Sequence, residues 1–281
     1  MAFSLPGFDL NAFARGTLAE DLGEGGDITS AAVIPAEARF AGLMDTREDI
    51  VVAGIALAEA FFQELDGDVV LERLVEDGAS VTAGTPLLRL EGRARAMLTA
   101  ERSALNTVQH LSGIATMTRR YVEAIAGTGA ILLDTRKTIP GLRRLEKYAT
   151  ASGGAQNHRM GLWDAAMIKD NHVAVAGSVG EAARRATQAG IGTIIVEVDR
   201  LDQIAPALDA GATHLLLDNM VPETLRQAVA LVAGQVPTEA SGGVRLDTIR
   251  AIAQSGVTYV SVGRLTQSTP AADIGLDFSA E

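Results

Sequence analysis

Repeated alternation over roughly the last 150 residues constrains this chain more than anything else in it. Apolar strand-like runs occur at 131–134, 165–168, 193–198, 214–217, 238–240 and 259–262, and helix-like segments lie between them at 179–189, 201–209, 222–232 and 246–254. Gly190, Gly211, Gly234 and Gly256 follow those helices, where a left-handed C-cap is expected. Strands that are apolar throughout, joined by helices, predict a parallel sheet covered on both faces.

Each run ends in polar residues: Asp134-Thr135-Arg136-Lys137, Lys169-Asp170-Asn171-His172, Glu197 with Asp199, Asp218-Asn219, Ser241-Gly242-Gly243 and Gly263-Arg264. Polar groups gathered at the carboxyl ends of successive parallel strands mark the active face of a β/α barrel. Six units are too few for eight strands. The prediction is therefore an open, incomplete β/α barrel, with an open doubly wound sheet as the alternative.

The first 110 residues read differently. Asp27-Ile28-Thr29-Ser30 caps a turn, strand patterns cover 38–44, 49–54, 69–75 and 86–90, and a helix covers 57–65. This predicts an α+β domain over 1–110 and the barrel over 111–281, bridged by a long helix at about 94–126. Asp77 to Leu90 has the look of a carrier hairpin, but no lysine precedes Lys137, so nothing there can be acylated. The Gly23–Gly26 cluster lacks nucleotide-loop spacing and reads as a turn.

Charge narrows the function. The chain has 24 basic and 35 acidic residues, yet residues 93–172 hold 12 Arg/Lys against 6 Asp/Glu, leaving 12 against 29 elsewhere; the stretch is +6 and the remainder −17. All three lysines, Lys137, Lys147 and Lys169, lie in it. An acidic protein that concentrates its cations in this way is suited to a small polyanion and poorly suited to nucleic acid. No run approaches a membrane span, and the N-terminus lacks the pattern of a secretory signal. The absence of cysteine excludes disulfides and thiolate chemistry and predicts a cytoplasmic setting.

Several side chains are candidates for chemistry. Arg136 and Lys137 at one strand end, with His158, Arg159 and Lys169 at the next unit, form a cationic set, and Arg is suited to binding carboxylates bidentately. Lys169, at the end of an apolar strand, reads as a charge clamp, as a Schiff-base nucleophile, or as a salt bridge to Glu197 or Asp218. Glu197 and Asp218 suit ribose hydroxyls, Mg²⁺ or a developing positive charge. Ser241-Gly242-Gly243 and Val262-Gly263-Arg264 suit a phosphate at the last two loops. His110, Tyr148 and Trp163 read as helix and packing residues.

The ordered motifs Glu101-Arg102-x-Ala104-Leu105-Asn106, Leu111-Ser112-Gly113-Ile114-Ala115-Thr116, Asp134-Thr135-Arg136-Lys137-Thr138, Asn157-His158-Arg159-Met160-Gly161-Leu162, Ile168-Lys169-Asp170-Asn171-His172, Leu217-Asp218-Asn219 and Glu239-Ala240-Ser241-Gly242-Gly243 together resemble the quinolinate phosphoribosyltransferase family. That resemblance implies a sandwich-like N-terminal domain and an open barrel, assembled as a homodimer. It implies transfer from phosphoribosyl pyrophosphate to quinolinate, giving nicotinate mononucleotide, pyrophosphate and CO₂ with Mg²⁺, in NAD synthesis. Carried over by position, it makes Arg136, His158, Arg159 and Lys169 the quinolinate clamp, with Arg102 supplied by the neighbouring subunit. Thr135 and Lys137 fall on the substrate side, Lys137 at the pyrophosphate. Glu197 and Asp218 become the ribose and metal-side acids, acting directly or through substrate or water, and catalytic together with Lys169. The loops at 241–243 and 262–264 become the 5′-phosphate cradle. Ile139 and Ala155-Gln156 depart from the family pattern without touching the charged set.

Overall fold

A computed structural model describes residues 4–280. These form two compact units: residues up to Met117 with Ala151–Gly154 and the segment from Thr269 onward, and Thr118–Thr150 with Ala155–Ser268.

In the first unit, α1 (Leu10–Leu22) starts where Asp9 accepts the Ala12 N–H at 2.8 Å, and α2 (Ile28–Val33) where Asp27 accepts that of Ser30 at 2.9 Å. Such caps satisfy amide groups that the helix itself leaves unpaired. Then follow β1 (Arg39–Thr46), β2 (Ile50–Val51), α3 (Ile55–Leu65), β3 (Val70–Arg73), β4 (Ser80–Val81), β5 (Pro86–Arg93) and α4 (Ala94–Ala124), of which the part up to Met117 belongs to this unit. The apolar stripe of α3 is buried at Ile55, Leu57, Phe61 and Phe62. Each side chain so buried stabilises by about 1.5–3 kcal/mol. Hydroxyls on α4 accept from edge backbone: Thr116 from Val51 N at 2.8 Å and Ser112 from Ala53 N at 3.0 Å.

In the second unit the elements are β6 (Ile131–Leu133), α5 (Arg143–Ser152), β7 (Ala166–Ile168), α6 (Asp170–Ala176), α7 (Val179–Gln188), β8 (Ile194–Val198), α8 (Ile204–Asp209), β9 (His214–Asp218), α9 (Pro222–Val232), β10 (Thr238–Ser241), α10 (Ile249–Ala253), β11 (Tyr259–Ser261) and α11 (Arg264–Gln267). The sheet order is β6-β11-β10-β9-β8-β7, parallel throughout. Chain-consecutive strands are neighbours from β7 to β11, and β11 returns to β6. That is the cyclic order of a barrel left open between its first and second strands, not a doubly wound sheet. At the gap, Gln156 pairs with the free edge of β6, its N–H donating to Leu132 O at 2.9 Å and its C=O accepting from Asp134 N at 3.2 Å.

The last strand, β12 (Ile274–Ala280), leaves the parallel sheet and runs antiparallel to β1, giving the first unit a four-stranded sheet of order β12-β1-β5-β3. The sequence reading had no strand here, because its partner is some 230 positions away and no local pattern reports it. Several helices also escape the sequence pattern, among them α1, α5, α6 and α11. α5 buries Glu146 and Lys147 beside Leu145, Tyr148 and Ala149, so its inward face is partly charged and breaks the apolar period. α6 buries none of its residues. Tyr148 packs as expected, whereas Trp163 is 82% exposed and lies across Gly161.

Candidate active site

The carboxyl ends of the parallel strands surround a cavity of about 820 Å³, built wholly from the second unit. Thr135, Arg136 and Lys137 enter from the loop after β6, His158 and Arg159 from the segment at the barrel gap, and Lys169 from the end of β7. Asp218 ends β9, Ser241, Gly242 and Gly243 follow β10, and Val262, Gly263 and Arg264 follow β11. Two other sequence candidates stand apart from the lining. Glu197 reaches it only through an ion pair with Lys169. Arg102 belongs to α4 in the first unit, with its side chain 68% exposed and a 3.4 Å contact to the adjacent Glu101.

Six cations, Arg136, Lys137, Arg159, Lys169, Arg245 and Arg264, line the cavity against two carboxylates, Asp218 and Glu239. Their local settings differ. Arg245 is paired with Asp247. Arg159 donates to Ala165 O at 3.0 Å, and both burial and the neighbouring Arg136 push its guanidinium below the ordinary value. Arg136 keeps a buried Nε without a hydrogen-bond partner. Two guanidinium groups that repel each other, one with an unmet donor, are suited to an anionic ligand.

A buried network fixes the loop that carries His158 and Arg159. Asp134, fully buried, is ion-paired with Lys147. Its carboxylate also accepts from Thr150 Oγ1 at 2.9 Å, Asn157 Nδ2 at 2.7 Å and His158 N at 2.7 Å. Lys147 Nζ donates onward to His158 O at 2.8 Å. Burial pushes the Lys147 amine down, and Asp134 opposes that. Farther along, Asp164 accepts from Met160 N at 2.5 Å and Gly161 N at 3.3 Å; burial works against its ionisation, but these amides hold the carboxyl below its usual range.

At the glycine loop, Gly242 has φ +93°, and a Cβ there would lie 2.2 Å from Asn219 Oδ1. Gly263 lets the Lys137 side chain pass close, since a Cβ would meet its Cδ at 2.8 Å. Both glycines bring backbone without a side chain to the cavity lining.

The sequence reading gave no role to Glu239. Its signal was an acid inside an otherwise buried strand, three residues before the first of the paired glycines. Burial raises its carboxyl, but His158 and His214 outweigh that and bring it down to about 2 from 4.5. The folded value lies below the unfolded one, so folding favours the anion. That stabilisation is complete above about pH 4.5 and is lost as pH falls toward 2. The expected result is that Glu239→Gln loses less stability than the parent between about pH 5 and about pH 3, measured by urea midpoint.

No group of three or more His, Cys, Asp or Glu side chains suited to a metal occurs among the described residues. Asp218, which accepts from Asn219 Nδ2 at 2.6 Å, supplies one carboxylate at the cavity. That donor set fits Mg²⁺, which commonly uses one or two carboxylates together with substrate phosphates.

Comparison with known proteins agrees with this geometry. The N-terminal domain model of quinolinate phosphoribosyl transferase matches residues 27–112, and the C-terminal domain model matches residues 114–277. The chain belongs to that family of phosphoribosyl-transferring enzymes. It is 47% identical to the nicotinate-nucleotide pyrophosphorylase [carboxylating] of Mycobacterium leprae, over 94% of this chain and 95% of that one. It is 40% identical to a mitochondrial quinolinate phosphoribosyltransferase [decarboxylating] of Nicotiana tabacum, over 98% and 84%. The crystal structure of nicotinate-nucleotide pyrophosphorylase from Ehrlichia chaffeensis superposes with a TM-score of 0.93 at 37% identity, covering 97% of this chain and all of that one. No helix among the described residues is long and apolar enough to cross a membrane.

Proposed function

We infer that the protein transfers the phosphoribosyl group of phosphoribosyl pyrophosphate to quinolinate, releasing pyrophosphate and CO₂ and forming nicotinate mononucleotide for NAD synthesis. The observation that carries this reading is the juxtaposed Arg136 and Arg159, with an unmet donor, in a cavity dominated by cations.

Arg136, Arg159 and Lys169 take the two carboxylates of quinolinate and turn the ring nitrogen toward C1 of the ribose, with the His158 ring beside them. Placing nucleophile and electrophile in line is largely an orientation effect. As the C1–O bond to pyrophosphate breaks, positive charge develops on the sugar. Asp218, together with Glu197 behind Lys169, stabilises that charge and holds the ribose hydroxyls. Lys137 neutralises the departing pyrophosphate. The glycine loops at 241–243 and 262–264 hold the 5′-phosphate through backbone N–H groups. Asp218 and Glu197 would be the acids for Mg²⁺, which when bound would neutralise pyrophosphate charge. Once the nitrogen is alkylated, the ring accepts the electron pair of the C2–carboxylate bond. CO₂ leaves and C2 takes up a proton.

A second copy of the chain supplies Arg102 in this reading, which makes the working form a homodimer. Its solvent-facing guanidinium supports that role. The cysteine-free composition supports a cytoplasmic setting. A Schiff-base aldolase reading of Lys169 loses ground, because that amine is half exposed and ion-paired, without the desolvation such chemistry needs.

Release of pyrophosphate on mixing the two substrates tests the reading. A protein that only binds phosphate ligands would release none. At the cradle, Gly242→Ala forces a strained φ and a clash with Asn219. Its KM for phosphoribosyl pyrophosphate is expected to rise about tenfold or more by steady-state kinetics, with a smaller change for quinolinate.

A further inference from the structure

Glu239 is wholly buried in β10 yet borders the cavity floor, and nothing in the transfer just described uses it. A buried anion beneath a pocket for anions opposes ligand binding. Its presence therefore calls for a reason of its own.

His158 supplies one. Its Nε2 lies 3.2 Å from Glu239 Oε2. Its Nδ1 accepts the backbone N–H of Arg159 at 2.7 Å. A ring nitrogen that accepts an amide proton carries none itself, so the proton of the imidazole sits on Nε2, facing a carboxylate that can only accept. The backbone on either side is pinned as well, His158 N by Asp134 and His158 O by Lys147. Glu239 is an anion at neutral pH, and the His158 hydrogen bond favours that charged form. His214 Nε2 approaches the same oxygen at 3.0 Å, but off the direction a hydrogen bond needs. His214 stacks on Tyr259 at 5.6 Å and 21°.

We propose that Glu239 is a positioning residue that fixes His158 as a neutral imidazole with its proton on Nε2. His158 then shapes the acceptor subsite, while Arg136, Arg159 and Lys169 supply its charge. It is neither a further cation of the clamp nor the donor of the C2 proton. The naming of the acceptor rests on the transfer reading above; the tautomer does not.

Two measurements on the full-length protein decide it. In a ¹H–¹⁵N correlation spectrum of the histidine rings at about pH 7.5, His158 is expected to show a protonated Nε2 and a bare Nδ1. A ring protonated on Nδ1, or on both nitrogens, overturns the proposal. In kinetics, Glu239→Leu is expected to raise the quinolinate KM about tenfold while leaving that for phosphoribosyl pyrophosphate within about twofold. Glu239→Gln is expected to recover most of the loss, because its amide oxygen still accepts from Nε2. Equal impairment in both variants, or an unchanged KM in the leucine variant, overturns it. If the leucine variant does not fold, the parent spectrum and the persistence of the Nε2–H tautomer in Glu239→Gln decide alone. Should quinolinate not be turned over at all while the spectrum shows the Nε2–H tautomer, the transfer reading falls and the positioning of His158 stands.

Discussion

Replacing Arg136 with alanine is expected to lower kcat/KM for quinolinate about a hundredfold while leaving the melting temperature within a few degrees of the parent. The two effects separate because Arg136 contributes little to the fold. Its Nε has no hydrogen-bond partner, and it repels the like-charged Arg159. Its interaction energy is reserved for a ligand. About 3 kcal/mol, the value of a desolvated charge pair, corresponds to two factors of ten. Arg136→Lys recovers only part of the loss, because an ammonium cannot reproduce bidentate carboxylate contacts. Steady-state kinetics with quinolinate varied, alongside thermal unfolding, reads both quantities. Unchanged KM and turnover in the alanine variant would remove the clamp.

The second large effect concerns stability. Lys147→Met is expected to destabilise the protein by about 3–5 kcal/mol in urea unfolding, because it leaves the fully buried Asp134 charge without its partner. Activity should fall as well, since the same pair holds the segment with His158 and Arg159. Adding Asp134→Asn is expected to return part of the stability. An amide removes the uncompensated charge and still offers an oxygen to Thr150 or His158. A double variant less stable than Lys147→Met alone would mean that the cation is not what compensates Asp134.

Much of the barrel was legible because its strands are largely apolar and helices such as α7 and α9 bury one face, so period and punctuation report them locally. β8, α9 and β10 lie within a residue or two of their expected bounds. The cavity was legible for a related reason: a polar residue directly after an apolar parallel strand has one end of the sheet to occupy. Three features lay beyond that logic. β12 pairs with β1 across the length of the chain. The inward face of α5 is charged, because Lys147 and Glu146 serve buried partners rather than solvent. Glu239 was hidden since an acid within a buried strand declares nothing until its two histidines, contributed by separate segments, are brought beside it.

Acceptor discrimination tests the central claim most directly. Purified protein is incubated with phosphoribosyl pyrophosphate and Mg²⁺, with either quinolinate or nicotinate as acceptor, and nicotinate mononucleotide, pyrophosphate and CO₂ are measured. Two guanidinium groups and a lysine arranged for a dianion predict product from quinolinate, with one pyrophosphate and one CO₂ per nucleotide, and little from nicotinate. Equal or faster turnover of nicotinate, or nucleotide formed from quinolinate without CO₂, would contradict the account.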